Sequence, residues 1–234
     1  CNSLKFQLYS YIIKMGDEDA EYKVMYEGDE AETNWISKAG KATVTFADGS
    51  TFVGTFDEEK LKQGPGVYTW MGPGEDEDAP VVKAVYDGEY KDGIKSGRGK
   101  MTFPSGDVYD GFWVNNKMEG EGTYTYKASG DIYSGSFVGG LKSGSGRYEF
   151  GADSSQLVGT WVDGSITTGS WELKGCGTYT GAFKNGKPDG EGSFAFVSGI
   201  EQKGAYVAKK EGEEDDEDAP VTITWEGEPV FGTA

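Results

Sequence analysis

A glycine recurs along most of this chain at a nearly constant interval, and no other sequence feature limits the fold as strongly. Successive copies of this glycine lie 34, 23, 24, 24, 22 and 23 residues apart. Such a period is typical of repeat proteins, in which each unit is one supersecondary element stacked on the next. The single long interval contains an insertion. The recurring glycines are Gly54, Gly88, Gly111, Gly135, Gly159, Gly181 and Gly204.

The clearest copy spans residues 86–106 and predicts a β-hairpin. Its first half, YDGEY, alternates aromatic and small residues with carboxylates, and its second half, GRGKMTF, alternates again after a short loop. Alternate residues of a strand point to one face, so the aromatic residues and glycines share a face. We assign the following positions to the repeat architecture: Tyr86, Gly88, Tyr90, Gly97, Gly99, Tyr109, Gly111, Trp113, Gly120, Gly122, Tyr133, Gly135, Phe137, Gly144, Gly146, Gly181, Phe183, Gly190 and Gly192.

Glycine is unfavourable inside a strand, so its recurrence predicts close packing above it. We expect an aromatic ring of a neighbouring strand to lie across each glycine. Consecutive hairpins would then pair edge to edge in an all-β fold, an elongated single-layer antiparallel sheet. About eight hairpins give about sixteen strands, and at ~4.8 Å per strand the sheet would be roughly 75 Å long.

Three copies depart from the pattern. In the copy that starts at Leu157, Thr168 and Ser170 stand where the paired glycines are expected, which predicts a distorted hairpin or a shortened second strand. A degenerate first copy is predicted from Tyr26 and residues 43–49. Residues 225–227 resemble the first half of a last copy. Terminal repeats are commonly atypical because they cap an exposed end.

These observations divide the chain into three parts. Residues 1–24 form an N-terminal extension, residues 25–206 the repeat array with an acidic insert at 71–83, and residues 207–234 an acidic loop with a capping strand. Residues 1–14 are hypothesised to lie upstream of a native start at Met15, with a signal peptide as the alternative. Both acidic segments contain the sequence EDAPV and are predicted to be solvated loops.

Composition excludes several classes of protein. Glycine accounts for 38 of 234 residues, yet aromatic residues reach 14%, which is unlike a disordered chain. A formal net charge of −18 argues against nucleic acid as a partner and makes an anionic membrane an unfavourable one. No run approaches the ~20 apolar residues of a membrane-spanning helix. Two cysteines give no disulfide framework and favour a reducing, cytoplasmic compartment.

The residue inventory argues against an enzyme and against a cofactor or metal site. The chain has no histidine, which removes the commonest general base and metal ligand. Glu119 and Glu121 occupy positions that vary among the copies and are interpreted as solvated surface. Cys176 is interpreted as a small buried or half-buried residue without a catalytic partner. The acidic inserts could hold Ca²⁺ loosely, but solvated loops are the favoured interpretation because neither insert matches an EF-hand.

Lysines concentrate in the predicted hairpin loops, and stacking would align them on one rim of the sheet. Three interpretations of this rim are open: a solvated rim that offsets nearby carboxylates, a contact for an acidic protein segment, and a contact for anionic lipid headgroups. Lys60 and Lys62 belong to the first such loop. The candidate partner-binding residues are Lys91, Lys95, Lys117, Lys142, Lys184 and Lys187.

The pattern Tyr-x-Gly-x-aromatic, loop, Gly-x-Gly-x-aromatic-x-aromatic resembles the MORN repeat family. It is explicit in residues 86–103, 109–126 and 179–196. The resemblance implies stacked hairpins without catalysis and a structural, protein-interaction role. It is closest to stand-alone axonemal proteins of the radial spoke head type, which implies a cilium or flagellum, other proteins of a large complex as partners, and a second MORN protein or a dimer mate among them. A tether for anionic phospholipids through the basic rim is the alternative.

Overall fold

The computed structural model describes residues 22–29, 33, 36–74, 80–210 and 221–229, and these residues contain strands and turns without a helix. Residues 1–21 of the predicted N-terminal extension, residues 75–79 of the first acidic segment and residues 211–220 of the second lie outside this range. The strands are β1 Tyr22–Tyr26, β2 Gly40–Phe46, β3 Thr51–Phe56, β4 Lys62–Gly72, β5 Val81–Lys91, β6 Ile94–Thr102, β7 Val108–Val114, β8 Lys117–Thr125, β9 Ile132–Val138, β10 Leu141–Glu149, β11 Gln156–Val162, β12 Ser165–Leu173, β13 Gly177–Lys184, β14 Lys187–Phe196, β15 Glu201–Lys210 and β16 Val221–Gly227.

All sixteen strands of the described part form one antiparallel sheet, in which each strand pairs with its neighbours in sequence. The predicted fold class, with about eight stacked hairpins in a single layer, is confirmed. Connections alternate between two rims. The hairpin rim carries the loops within each repeat, such as 92–93, 115–116 and 185–186, and the turn rim carries the turns between repeats, such as 103–107 and 126–131. Every described connection except those near the ends and at the 73–80 insert is short, so each repeat lies directly on the next.

One row of the sheet consists of glycine in fourteen consecutive strands, from Gly54 in β3 to Gly227 in β16. Thirteen cross-strand pairs in this row are glycine opposite glycine. Towards the N-terminus the row ends with Ala42 and then Tyr26. The repeated spacing of the glycines therefore sets the strand register, because aligning the glycines fixes the position of every strand against its neighbours.

The core lies on the face that carries the glycine row, here called the aromatic face. Tyr86, Tyr109, Tyr133 and Tyr179 are fully buried there, and so is Phe52 in the first complete repeat. The opposite face is mainly polar. A sheet with one buried and one solvated face accounts for the strict alternation in the sequence.

The second strand of the hairpin β11–β12 has its full length, so the prediction of a shortened strand is wrong, and the predicted distortion is a β-bulge one residue shorter than in other repeats. β12 has nine residues, as do β6, β8 and β10. Its row glycine is Gly169, which pairs with Gly159 and Gly181. Ile166 and Gly169 are three positions apart, whereas the equivalent residues in other repeats are four positions apart, as Lys142 and Gly146 are. The missing residue shifted the expected glycine positions to Thr168 and Ser170.

The ends of the array differ from the predicted boundaries. β1 and β2 form the predicted first hairpin. Residues 225–227 belong to β16, which pairs with β15 as the second strand of the last hairpin and does not begin a new one. Strands β4 and β5 continue into the range assigned to the first acidic insert and leave 73–80 as the connection.

Candidate functional site

Four repeats on the aromatic face are each built around one tyrosine that lies along its own strand. The hydroxyl of Tyr109 donates a hydrogen bond to the Phe112 carbonyl oxygen, three residues further on, at 3.0 Å. Tyr86, Tyr133 and Tyr179 make the same bond within their own strands, at 3.0, 3.1 and 3.3 Å. The ring thus crosses the glycine two residues ahead and the glycine paired with it. We expected a ring from a neighbouring strand across each glycine. That holds for Gly122, which pairs with Gly111, but Gly111 itself is covered by the ring of its own strand.

The two glycines of each Gly-x-Gly pair have different roles. A Cβ added to Gly122, the second glycine, would lie 2.6 Å from Cε2 of the Tyr109 ring, so only glycine fits beneath the ring. Gly120, the first glycine, has nothing comparable near it but a φ of +65°, which favours glycine for conformational reasons. It lies where the register between β7 and β8 shifts, at a β-bulge.

A second set of rings, contributed by the second strand of each hairpin, is half-buried along the aromatic face. Tyr124 contacts Phe103 and Tyr126, with ring centroids 5.7 and 4.6 Å apart. The series continues from Tyr126 to Tyr148 at 5.8 Å and from Tyr148 to Phe150 at 5.0 Å. These partly exposed rings give the face an aromatic surface that spans several repeats.

Three lysines predicted for the rim lie instead among these rings. The ammonium of Lys142 is 4.7 Å from the ring centroid of Trp161, 4.8 Å from Tyr148, 5.5 Å from Tyr133 and 5.8 Å from Tyr126. These distances are typical of cation–π contacts. The predicted rim position of Lys142 is therefore wrong, because its stem turns inward from the hairpin rim.

Lys95 and Lys62 are placed in the same way. Lys95 is only 9% exposed and lies 4.6 Å from the Trp113 ring, 5.3 Å from Tyr86 and 5.7 Å from Trp70. Lys62 lies over the rings of Tyr68, Phe52 and Tyr90, at 4.6, 4.8 and 5.6 Å. The rim positions expected for these two residues are therefore also wrong.

These lysines share one structural position, which the sequence analysis did not identify. Lys62, Lys95 and Lys142 each pair with the last aromatic residue of the preceding strand. The same position holds Met118, Ile166 and Pro188 in the other repeats. A position that is lysine in three copies and apolar in three suits a long aliphatic stem on an apolar surface. The occurrence of both lysine and apolar residues at one repeat position is the sequence signal from which this inward position could have been predicted.

Burial lowers the pKa of all three lysines. Desolvation of the charged form brings the pKa of Lys95 to about 8, from an ordinary value of 10.5. Desolvation and the nearby charge of Lys95 lower the pKa of Lys62 to about 8. Lys142 is also brought to about 8 by desolvation, although Asp131 acts in the opposite direction. The aromatic face therefore contains three amines that lose their protons more readily than surface lysines.

The remaining candidate lysines do lie on the hairpin rim. Lys91, Lys117, Lys184 and Lys187 are exposed at the ends of β5, β8, β13 and β14. Their role in partner binding remains a prediction. Carboxylates share this rim, among them Glu58 and Asp92 in the neighbouring loops, so the rim is mixed in charge.

Turn aspartates connect successive repeats on the turn rim. Asp131 accepts hydrogen bonds from the Tyr148 hydroxyl at 2.6 Å and from the Gly151 amide at 2.8 Å. Asp107 accepts equivalent bonds from the Tyr124 hydroxyl at 3.1 Å and the Lys127 amide at 2.9 Å. Desolvation disfavours the charged form of Asp131, but these bonds outweigh it and hold its pKa below the usual range. Each aspartate thus fixes the ring and the turn of the following repeat.

The other residues considered for chemistry do not form a reactive arrangement. Cys176 is exposed in the turn before β13, so its expected burial is wrong. Glu119 accepts a hydrogen bond from the Gly139 amide, and Glu121 accepts one from the Ser136 hydroxyl. Across the described residues, no cluster of three or more acidic or cysteine side chains could hold a metal ion. The same part of the chain contains no helix long and apolar enough to cross a membrane.

Comparison with known proteins agrees with the repeat structure. The family model described as "MORN repeat" matches residues 53–71, 86–108, 109–130, 133–154 and 179–200. The hairpin β11–β12, which has Leu157 in place of the tyrosine, falls between the matched segments. The chain is 31% identical over 104 residues to "MORN repeat-containing protein 3" of Xenopus laevis. That alignment covers 40% of this chain and 40% of the frog protein.

Proposed function

Starting from the fact that this chain is built of MORN repeats, a non-enzymatic repeat family, we propose that it is a non-catalytic scaffold of a cytoskeletal assembly. The observation that carries the proposal is the aromatic face, whose half-buried rings extend over several repeats of one continuous sheet. Such a face offers contact area to other proteins. Large, partly exposed aromatic side chains are enriched where proteins bind each other.

We further propose the ciliary axoneme as the site of this assembly, with a role of the radial spoke head type. The support is analogy with axonemal MORN proteins together with a net charge of −18, which disfavours anionic surfaces. The partners would be other proteins of a large complex, a second MORN protein or a dimer mate among them.

A phospholipid tether is the second candidate, and the exposed rim lysines Lys91, Lys117, Lys184 and Lys187 are the observation in its favour. The inward position of Lys62, Lys95 and Lys142 weakens it, because three positive charges leave the rim. Loop carboxylates such as Glu58 and Asp92 weaken it further.

Fractionation of ciliated cells would test the scaffold function. After detergent extraction the tagged protein is expected to remain with the insoluble axoneme, whereas a membrane tether would be released. Recovery in the detergent-soluble fraction would contradict the axonemal assignment.

A vesicle assay would test the second candidate directly. The purified chain is expected to stay in the supernatant when phosphatidylcholine vesicles with phosphatidylserine and a phosphatidylinositol bisphosphate are sedimented at physiological salt. Tight binding that is lost when Lys91, Lys117, Lys184 and Lys187 are changed to Glu would establish the tether and overturn the scaffold proposal. Lys95 is left unchanged in that variant, because a carboxylate at this position would be buried among rings.

A further inference from the structure

We propose that the outer edge of β16 is a docking site for an extended basic segment of a different protein. The segment would join the sheet as a further strand, with a glycine opposite Gly227 and a basic residue on each side of that glycine. This inference rests on the scaffold function and assigns a partner chemistry to one place on the scaffold. Its starting point is that the two ends of the sheet are built differently.

The N-terminal end of the sheet is closed by the chain itself. The glycine row stops at Ala42 and Tyr26, and the Tyr26 hydroxyl donates to the Lys38 carbonyl oxygen at 2.7 Å and accepts from the Lys38 amide at 3.1 Å. On the outer edge of β1, Val24 exchanges two backbone hydrogen bonds with Thr33, at 2.7 and 2.8 Å. The connection between β1 and β2 thus occupies the edge that another strand would need.

The C-terminal end continues the pattern of the interior. The last described member of the glycine row is Gly227, opposite Gly204. Within the described residues, no strand lies beyond β16 in the sheet order. Since each of the thirteen preceding steps sets glycine against glycine, an added strand would fit this register best with glycine opposite Gly227.

The backbone direction of β16 suits strand addition. The Glu228 amide donates to the Lys203 carbonyl oxygen at 2.8 Å, which fixes the phase of the ladder with β15. Backbone groups of an antiparallel strand alternate between its two sides. The groups of Ile223, Trp225 and Gly227 therefore point outward, and none of them is bonded to a described residue outside the β15–β16 ladder.

Charge determines which strand would be accepted. Glu226 and Glu228 are exposed on either side of Gly227, on the face opposite the rings. A strand with its glycine opposite Gly227 places its two flanking residues opposite these carboxylates. Opposite charges in such cross-strand pairs are favourable, and like charges are unfavourable. Basic residues at both positions are therefore the complementary choice.

The same argument disfavours a second copy of this chain as the occupant. Pairing β16 with β16 of another copy, with Gly227 opposite Gly227, would set Glu226 against Glu228 twice. By contrast, the sequence Arg98-Gly99-Lys100 in β6 has the complementary pattern, and this strand already lies within a sheet of this kind with Lys100 opposite Asp110. The occupant is thus a basic strand of another protein, for which β6 supplies a probe.

A synthetic peptide of residues 94–102, IKSGRGKMT, tests the proposal against the full chain. Fluorescence anisotropy is expected to detect binding, and hydrogen exchange should slow at the amides of Ile223, Trp225 and Gly227. A matched peptide with Arg98→Glu and Lys100→Glu should bind at least tenfold more weakly, which corresponds to about 1.4 kcal/mol. A scrambled peptide of the same charge should also bind more weakly.

Two protein variants decide whether the edge is the site. Ile223→Pro removes an outward N–H without removing a ladder bond to β15, and it should abolish binding, whereas Ile223→Ala keeps that N–H and should bind within a few-fold of the wild type. Glu226→Lys with Glu228→Lys should lose the basic peptide and gain the charge-reversed one. If the proline variant fails to fold, the double variant Glu226→Lys with Glu228→Lys still tests the site, because it leaves the backbone of β16 unchanged.

Several results would overturn the proposal: no binding by the wild type, equal binding by Ile223→Pro, protection elsewhere in the sheet, or dimerisation through β16 in light scattering. Each of these results is separate from failure of the scaffold function. Release from the axoneme and binding to vesicles are measured without the peptide and do not depend on β16.

Discussion

Two kinds of glycine support the repeat, and they can be separated by substitution. Gly122→Ala brings a methyl group against the Tyr109 ring, and overpacking of this kind costs ~1–3 kcal/mol. Gly120→Ala instead forces a positive φ on alanine, at a cost of ~1–2 kcal/mol. We predict that Tyr109→Leu relieves much of the first cost and none of the second. Denaturant unfolding of the single and double variants measures how Tyr109→Leu changes the cost of each glycine substitution. If it changed the cost of both substitutions equally, the distinction between the two glycines would be wrong.

The inward repeat position, which holds lysine in three copies and an apolar residue in three, should accept either a lysine or an apolar residue in any copy. We predict that Lys142→Met lowers the free energy of unfolding by less than ~1.5 kcal/mol, because methionine fills a similar volume and needs no solvation of a charge. Met118→Lys should also be tolerated, because the aliphatic stem of the introduced lysine would lie on the rings of Tyr109, Phe103 and Tyr124. Lys142→Glu should be severely destabilising, because a buried carboxylate would face aromatic rings. Chemical denaturation compares the three, and equal stability of the Met and Glu variants would refute a packed position.

The buried amines also predict how stability depends on pH. The pKa of Lys62, Lys95 and Lys142 is about 8 in the folded chain and near 10.5 when unfolded, so the folded state binds fewer protons between these values. Stability should therefore rise from pH 8 to about 10. Above pH 10 it should fall, because burial raises the pKa of tyrosines such as Tyr109, to about 12. Thermal unfolding from pH 7 to 11 checks this, and a variant with all three lysines changed to Met should lose the rise.

At the level of the hairpin, the turn aspartates couple one repeat to the next. Asp131→Ala removes acceptors for the Tyr148 hydroxyl and the Gly151 amide, and the loss should be ~1–3 kcal/mol, typical of hydrogen bonds to a charged group. Hydrogen exchange at Gly151 should accelerate more than exchange within the preceding hairpin β7–β8. Asp153→Ala, in the adjacent turn, is a control that should leave the Tyr148 contact intact. Unchanged protection at Gly151 would show that the turn holds without Asp131.

The hairpin is also the level at which prediction from sequence succeeded. Tyr86, Gly88 and Tyr90 in one copy and their equivalents in others identified the face, the pairing and the register, because a period of two within a strand and about 23 between successive hairpins leaves little freedom. Alternation failed where bulges intervene. Lys95 was assigned to the hairpin loop and hence to the rim, but the loop is only 92–93 and Lys95 lies within β6 on the aromatic face. The shorter bulge before Gly169 displaces that glycine by one residue, so counting missed it.

Across the whole molecule, every strand contacts its sequence neighbours, so stability should be distributed as in a one-dimensional array. Within the described residues, no strand pair joins distant repeats. A local defect should therefore weaken the repeats beside it more than those at the far end. A globular sheet wrapped around a single core would instead lose protection everywhere at once.

Paired variants near opposite ends of the array test this expectation. Gly66→Ala places a methyl group 2.8 Å from the Phe52 ring, and Gly192→Ala places one 2.9 Å from Cζ of Tyr179. Each costs an amount typical of overpacking, ~1–3 kcal/mol, but at a different place. Hydrogen exchange should accelerate in β3–β5 for the first variant and in β13–β15 for the second, with the change decreasing over one or two hairpins. Uniform acceleration across β3–β15 in both variants would mean that the array unfolds as one cooperative unit, and the nearest-neighbour description would then be wrong.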